Sequence, residues 1–373
     1  MKIIGTGLIA FLLFVIQKVV YERLWNRHLR VTLEFVPPGI FEGEAGELLE
    51  VVENQKRLPL SMLKVKFQTS RHLVFSDMSG SRTTDQYYRN DVFQVGGGER
   101  ITRTLSFIGR KRGYYEIKGI DLLAGDLFLT TVMIERRNTD CHIYVYPKPY
   151  ESREFWLSLQ QLNGEVLTRR HLLEDPFEFR GIREYQSYDD IRSINWKATA
   201  RTEDLKVNQK NYTALQTIRI FFNIEDTGVL KKADCVEASL QIVAGLAEYY
   251  LTQGIRVACY GNGTDVMNGE PVQVEASAGS GQMERIYKAL ARIDTDRLVV
   301  SFSAVFGHRL MQEAKETMTF FVSPNAYESF VKQISEYHAA GQAYIWFYLV
   351  RDRQEPKLPA EMKRYVRVLH LVK

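Results

Sequence analysis

The residues with the most chemical potential lie between Asp175 and Lys210, in DPFEFRGIREYQSYDDIRSINWKATARTEDLKVNQK. Arg180, Arg183, Arg192, Lys197, Arg201, Lys206 and Lys210 are set against Asp175, Glu178, Glu184, Asp189, Asp190, Glu203 and Asp204. Phe177, Phe179, Tyr185, Tyr188 and Trp196 are interleaved with them. Guanidinium groups take carboxylates bidentately and stack on aromatic rings. The composition therefore suits an internally paired polar network, one that clamps an irregular segment or presents a docking surface. The neighbouring acids Asp189 and Asp190, with Glu225 beyond them, are also the carboxylates a divergent hydrolase would use for acid–base work.

Other catalytic sets are missing from the sequence. The histidines form no HExxH pair and there is no G-x-S-x-G elbow. Ala278-Gly279-Ser280-Gly281-Gln282 lacks the lysine of a phosphate loop, and Ser280 reads as a helix N-cap. Cys141, Cys235 and Cys259 have neither metal-site spacing nor an even count, which fits a reducing compartment. A net charge of +4 with cations in both halves argues against a nucleic-acid binder.

The elements that must position these residues begin with an apolar run, Ile3 to Val20, broken only by Gln17 and Lys18 near its end. Such a helix, about 27 Å at 1.5 Å per residue, reaches across a bilayer core. Lys18 can snorkel, Tyr21 and Trp25 supply interfacial rings, and no small-x-small cleavage site follows. Arg23, Arg27 and Arg30 follow the run, so the positive-inside bias places the bulk of the chain in the cytoplasm as a single-pass protein. From Leu29 to Tyr146, VTLEFV, ELLEVVEN, MLKVKFQTS, RITRTLSFI, YYEIKGI, LFLTTVMI and HIYVYP read as short strands of an antiparallel, immunoglobulin-like β-sandwich. Gly96 to Gly98 reads as a hairpin turn. After Leu215 the period changes: TIRIFFNI, IRVACY, TMTFFVS, AYIWFYLV and YVRVLHLV alternate with helical stripes, predicting an α/β domain with parallel strands.

The signature residues Arg183-Glu184-Tyr185, Asp189-Asp190, Arg192, Ile194, Trp196, Ala200-Arg201 and Leu205 resemble the R-E-Y-x-x-G-D-D-x-R-x-I-x-W-x-x-x-A-R-x-x-x-L core of the domain of unknown function 58 family. Tyr188 replaces the glycine before the paired aspartates. Lys111 to Phe128 resembles a second family strand and turn, with Gly125-Asp126-Leu127 in place of Asp-Pro-Phe. The resemblance implies an α+β multidomain chain: a transmembrane signal-anchor over 1–28, a β-sandwich over 29–148, and a von Willebrand factor type A-like, Rossmann-like α/β domain over 149–373 that includes 175–210. It also implies a MoxR-type AAA+ ATPase as partner, alongside other membrane proteins and the bilayer itself through residues 3–20.

Type A domains hold Mg²⁺ at the end of the first strand through D-x-S-x-S, using oxygen ligands that suit a hard cation. The matching place here has Asn223, Glu225 and Thr227, with Ser323 and Asn325 in the later loop, so these are weak candidates and no bound metal is expected. The reading that results is a membrane-anchored interaction module without catalytic residues, working with a MoxR-type ATPase in assembling or remodelling proteins. A carboxylate-dependent hydrolase is the alternative.

Overall fold

The computed structural model describes residues 2–160, 174–186, 194–202, 204–212, 217–226, 232–297, 299–310, 317–351 and 358–371. The chain divides into two compact units, Met1–Lys148 with Leu290–Asp294, and Pro149–Ala289 with Thr295–Lys373. The fold is mixed α/β and mostly strand, opened by one apolar helix.

In the first unit, α1 (Lys2–Leu24) carries leucine, isoleucine, phenylalanine and valine around its whole circumference. Ile4–Leu24 is long and apolar enough to cross a membrane, and only 6% of its apolar stretch is buried. Its last turns behave differently. Tyr21 and Trp25 are buried, and the Tyr21 hydroxyl donates to the Pro59 carbonyl at 3.0 Å.

Two sheets follow, and together they fit a β-sandwich. The first sheet is β1 (Leu29–Val36), β3 (Ala45–Asn54), β8 (Glu99–Gly109) and β5 (Leu73–Phe75), in that order. The second is β2 (Gly39–Phe41), β10 (Val132–Tyr146), β9 (Gly113–Gly125), β4 (Leu60–Ser70), β7 (Gln86–Val95) and β6 (Ser81–Thr83). Period-two alternation turns Leu48, Val52, Leu63, Val65, Phe107 and Leu122 into the shared core. A two-residue strand, β16 (Ile293–Asp294), lies in the Leu290–Asp294 segment.

Three local expectations change here. LFLTTVMI and HIYVYP are not separate strands: Val132 to Tyr146 is one long strand, and Leu127 to Thr131 is the turn before it. The Gly96–Gly98 turn does not close a hairpin, because β7 and β8 lie in different sheets and the turn carries the chain between them. Strand β7 itself was not expected, since its inward positions Tyr87, Arg89, Asp91, Phe93 and Val95 include two charges.

Those charges are paired inside the sandwich. Arg89, with its side chain wholly buried, donates to Asp91, to the Tyr87 hydroxyl at 3.0 Å and to the Asp77 carboxylate at 2.9 Å. Arg103, opposite Glu50 in the β3–β8 register, also donates to Asp91. Glu50 is fully buried between Leu48 and Val52. Burial first, and then the Asp91 carboxylate, push the Glu50 carboxyl well above the usual range, against the pull of Arg103 and Arg89.

The folded unit therefore holds the Glu50 proton more tightly than the unfolded chain does. That stability is fully present below the ordinary glutamate range and is lost as pH rises through the elevated folded value. Glu50→Gln should gain on the native protein by roughly 1–3 kcal/mol between pH 5 and pH 9, read from the exchange protection of β3 and β7 amides. A constant difference across that range would refute the assignment.

In the second unit, residues 153–160 are helical (α2). The signature segment is not irregular where it is described: β11 (Glu174–Glu184) pairs antiparallel with β12 (Lys206–Tyr212), and α3 (Trp196–Thr202) lies between them in sequence. The large sheet runs β15 (Pro271–Ser277), β14 (Arg256–Asp265), β13 (Thr217–Phe222), β17 (Thr317–Ser323), β18 (Tyr344–Val350) and β19 (Val366–His370). All neighbours are parallel except the edge strand β15.

Helices α4 (Ala233–Thr252), α5 (Ser280–Ala291), α6 (Phe302–Leu310) and α7 (Glu328–Ala339) alternate with these strands. The stripe Val236, Leu240, Val243, Ala247 and Tyr250 is buried on α4, with Tyr250 against Phe320. Phe302 and Phe306 of α6 and Phe330 of α7 pack instead around Phe221 and Phe321. Side chains alternate along a strand, so neighbours such as Phe320 and Phe321 serve opposite layers, which is why these strands read as continuous apolar runs.

Candidate functional site

Parallel strands pack side by side with their carboxyl ends at one edge, and the polar residues there converge. Asn223 follows β13, Asn262 lies in β14, Ser323 ends β17 and Asn325 stands two residues beyond; all four are buried. The Asn223 N–H donates to the Val322 carbonyl at 2.9 Å, extending the β13–β17 ladder by one bond.

The two carboxamides lock the chain as it leaves β13. Asn223 Oδ1 accepts from the Glu225 N–H at 3.0 Å and from Asn262 Nδ2 at 2.8 Å. Asn262 Oδ1 accepts from the Ile224 N–H at 2.9 Å, and its Nδ2 also donates to the Val300 carbonyl at 3.0 Å. On the other side, Ser323 Oγ donates to the Asn325 carbonyl at 2.8 Å and accepts from the Asn325 N–H at 3.2 Å. Asn325 Nδ2 donates to the Glu225 carbonyl, which ties the two loops together. Among the described residues, Asn223 Nδ2 and Asn325 Oδ1 are buried without a partner.

This arrangement decides what the edge can do. Asn223 Oδ1 already serves two N–H donors and Ser323 Oγ serves its own loop, so binding a cation there would first break the loop structure. Glu225 is half-buried at the rim and Thr227 lies outside the described residues. No group of three His, Cys, Asp or Glu that could hold a metal occurs among the described residues. The buried part of the edge is an uncharged, hydrogen-bonded platform, with Glu225 and Asp226 at its rim. Asn262 was not expected here, because a lone asparagine after an apolar strand carries no motif.

The signature residues are only partly brought together. Arg183 Nη1 donates to the Glu184 carbonyl at 2.9 Å, and Lys206 Nζ lies 3.3 Å from Glu184 Oε1. The Tyr185 N–H donates to Leu205 at 2.9 Å, and Asn195 Oδ1 accepts from Ala198 at 3.0 Å at the start of α3. Trp196 is 65% exposed, and Arg201 is exposed as well. Asp189, Asp190 and Arg192 lie outside the described residues.

Asn262→Ala should destabilise the second unit by about 1–3 kcal/mol, since it orphans the buried Ile224 N–H and the Val300 carbonyl. The Ile224 and Glu225 amides should exchange faster in this variant. Millimolar Mg²⁺ should leave the melting temperature of the native protein unchanged, whereas a rise would mean that Glu225 and its neighbours rearrange around the ion.

No curated protein matches the chain. Among solved structures, the CARDB domain of a Pyrococcus furiosus protein is 18% identical, with 32% of this chain and 92% of that one covered at a TM-score of 0.21. A non-cellulosomal cohesin from Archaeoglobus fulgidus is 12% identical, with 31% and 91% covered at a TM-score of 0.20. Likenesses this slight say nothing of what the chain does. The signature ribbon and most of the parallel sheet, residues 181–360, match the family described as Protein of unknown function DUF58.

Proposed function

We propose that this chain is a membrane-anchored interaction module whose strand-end edge, from Asn223 to Asp226 and Ser323 to Asn325, receives a partner protein. The second unit is then a type A-like domain, a reading supported by its parallel order, its alternating helices and the loops gathered at the carboxyl ends of its central strands. The carrying observation is the amide lattice of Asn223, Asn262 and Asn325, which ties the loop after β13 to β14 and to the loop after β17 through uncharged side chains. Preorganised loops on a rigid sheet suit recognition, because little ordering remains to be done on binding.

The exposed, apolar surface of α1 supports single-pass anchoring, and the arginines after it support a cytoplasmic location for both units. A MoxR-type AAA+ ATPase is the partner class that the resemblance to this family implies, and assembly or remodelling of membrane proteins is the process. A photo-crosslinking residue in place of Glu225, in native membranes, should capture an AAA+ ATPase, and the same residue in place of Gln94 on the sandwich should not. Equal capture at both positions, or none at Glu225, would refute the proposal.

A further inference from the structure

The candidate span raises a problem of length that the first unit itself answers. Counted from Ile4 to Leu24, the helix has 21 residues, about 31 Å at 1.5 Å per residue, enough for a hydrocarbon core of about 30 Å. Its last part is not free, however. Gln17 Nε2 donates to Asp126 Oδ2 at 3.0 Å, Tyr21 bonds to Pro59, and Trp25 is buried. The stretch before Gln17 that carries no charged or amide side chain runs from Ile3 to Ile16, only about 21 Å. If the helix crosses, the end of the sandwich that grips it must enter the same bilayer.

That end is built for it. The turn between β9 and β10 presents Leu127, Phe128 and Leu129 in succession, and Phe128 is 59% exposed. The Phe128 ring lies 5.9 Å from that of Phe14, one helical turn to the apolar side of Gln17. Behind the tip, the outer face of the second sheet carries a row formed by Ile134, Leu123, Lys64 and Val92, with Ile134 68% exposed. The next row is Arg136, Asp121, Lys66 and Asn90. The face therefore passes from mostly apolar, with Lys64 as its one cation, to mostly charged with distance from the tip, as an element seated in the headgroup boundary does, where a lysine can snorkel.

Asp126 fixes the tip against the helix. It accepts from the Thr130 N–H at 2.6 Å, the Thr131 N–H at 3.1 Å and the Thr130 hydroxyl at 2.7 Å, as well as from Gln17.

We infer that the β9–β10 turn of the sandwich is a second membrane contact, inserted into the lipid interface beside α1. The occupant of this patch is lipid because the patch is continuous with a helix surface that is itself exposed and apolar. The inference rests on the reading of α1 as a bilayer anchor, and the test separates the two.

Single cysteines are introduced by Leu13→Cys, Phe128→Cys, Ile134→Cys and Tyr88→Cys, the native cysteines being buried. Each is labelled with an environment-sensitive fluorophore, and the full chain is placed in vesicles of phosphatidylcholine and phosphatidylglycerol. Labels at 13, 128 and 134 should be blue-shifted, quenched by a lipid-borne nitroxide and shielded from iodide. The label at 88, on the polar part of the face, should show the reverse. Lipid quenching at 13 with free iodide access at 128 and 134 overturns the inference and leaves the anchor standing. Shielding of 128 and 134 from both quenchers means that protein covers the patch, and overturns it too. Iodide access at 13 removes the anchor and the inference together. An unchanged thermal transition in each labelled variant shows that the unit remains folded.

Discussion

A helix that is apolar around its whole circumference has no face to offer water, yet this one is fastened to a folded domain by polar bonds at one end. The Gln17–Asp126 and Tyr21–Pro59 bonds determine where the lipid-compatible surface stops and the domain begins. Burial alone would raise the Asp126 carboxyl, but donors from Gln17, the Thr130 hydroxyl and the Thr130 and Thr131 amides hold it at about 2. The sandwich is thereby held in one register along α1, and the position of its apolar turn follows from that register.

The two units handle buried polarity in opposite ways. In the sandwich, charge is buried with its counter-charge: Arg89 and Arg103 bracket Asp91, and Glu50 escapes the same site by keeping its proton. Removing one partner from such a set is costly because the other is left charged and dry. At the strand ends of the second unit, the buried side chains of Asn223, Asn262, Ser323 and Asn325 are amides and a hydroxyl that serve backbone groups, with Glu225 and Asp226 at the rim. Amide lattices of this kind rigidify a loop without creating a field. That is a suitable ground for recognising a protein surface, and a poor one for polarising a substrate.

Much of the architecture was legible in the residues because burial follows period. The alternating runs ELLEVVEN and MLKVKFQTS became β3 and β4, and the unbroken runs TIRIFF and YIWFYLV became the doubly covered strands β13 and β18. The misses have the same cause. QYYRNDVFQV conceals a strand because two of its inward residues are charged, and only their partners on other strands make that tolerable. VMIERRNTDCHIYVY was divided at its charged middle because Glu135 and Arg137 sit where apolar residues were sought. Arg137 instead bonds Glu135 and the Leu29 carbonyl. Asn223 was found from its place after a strand, but its partner Asn262 becomes visible only when the strands lie side by side.

Anchoring is the claim on which the remaining functional reading rests, and extraction of native membranes carrying the full chain tests it most directly. After washing at high salt and then in alkaline carbonate, the chain should stay entirely in the membrane pellet and be released only by detergent. Its appearance in the carbonate supernatant would mean that α1 does not cross the bilayer, and the account of this chain as an anchored module would be contradicted.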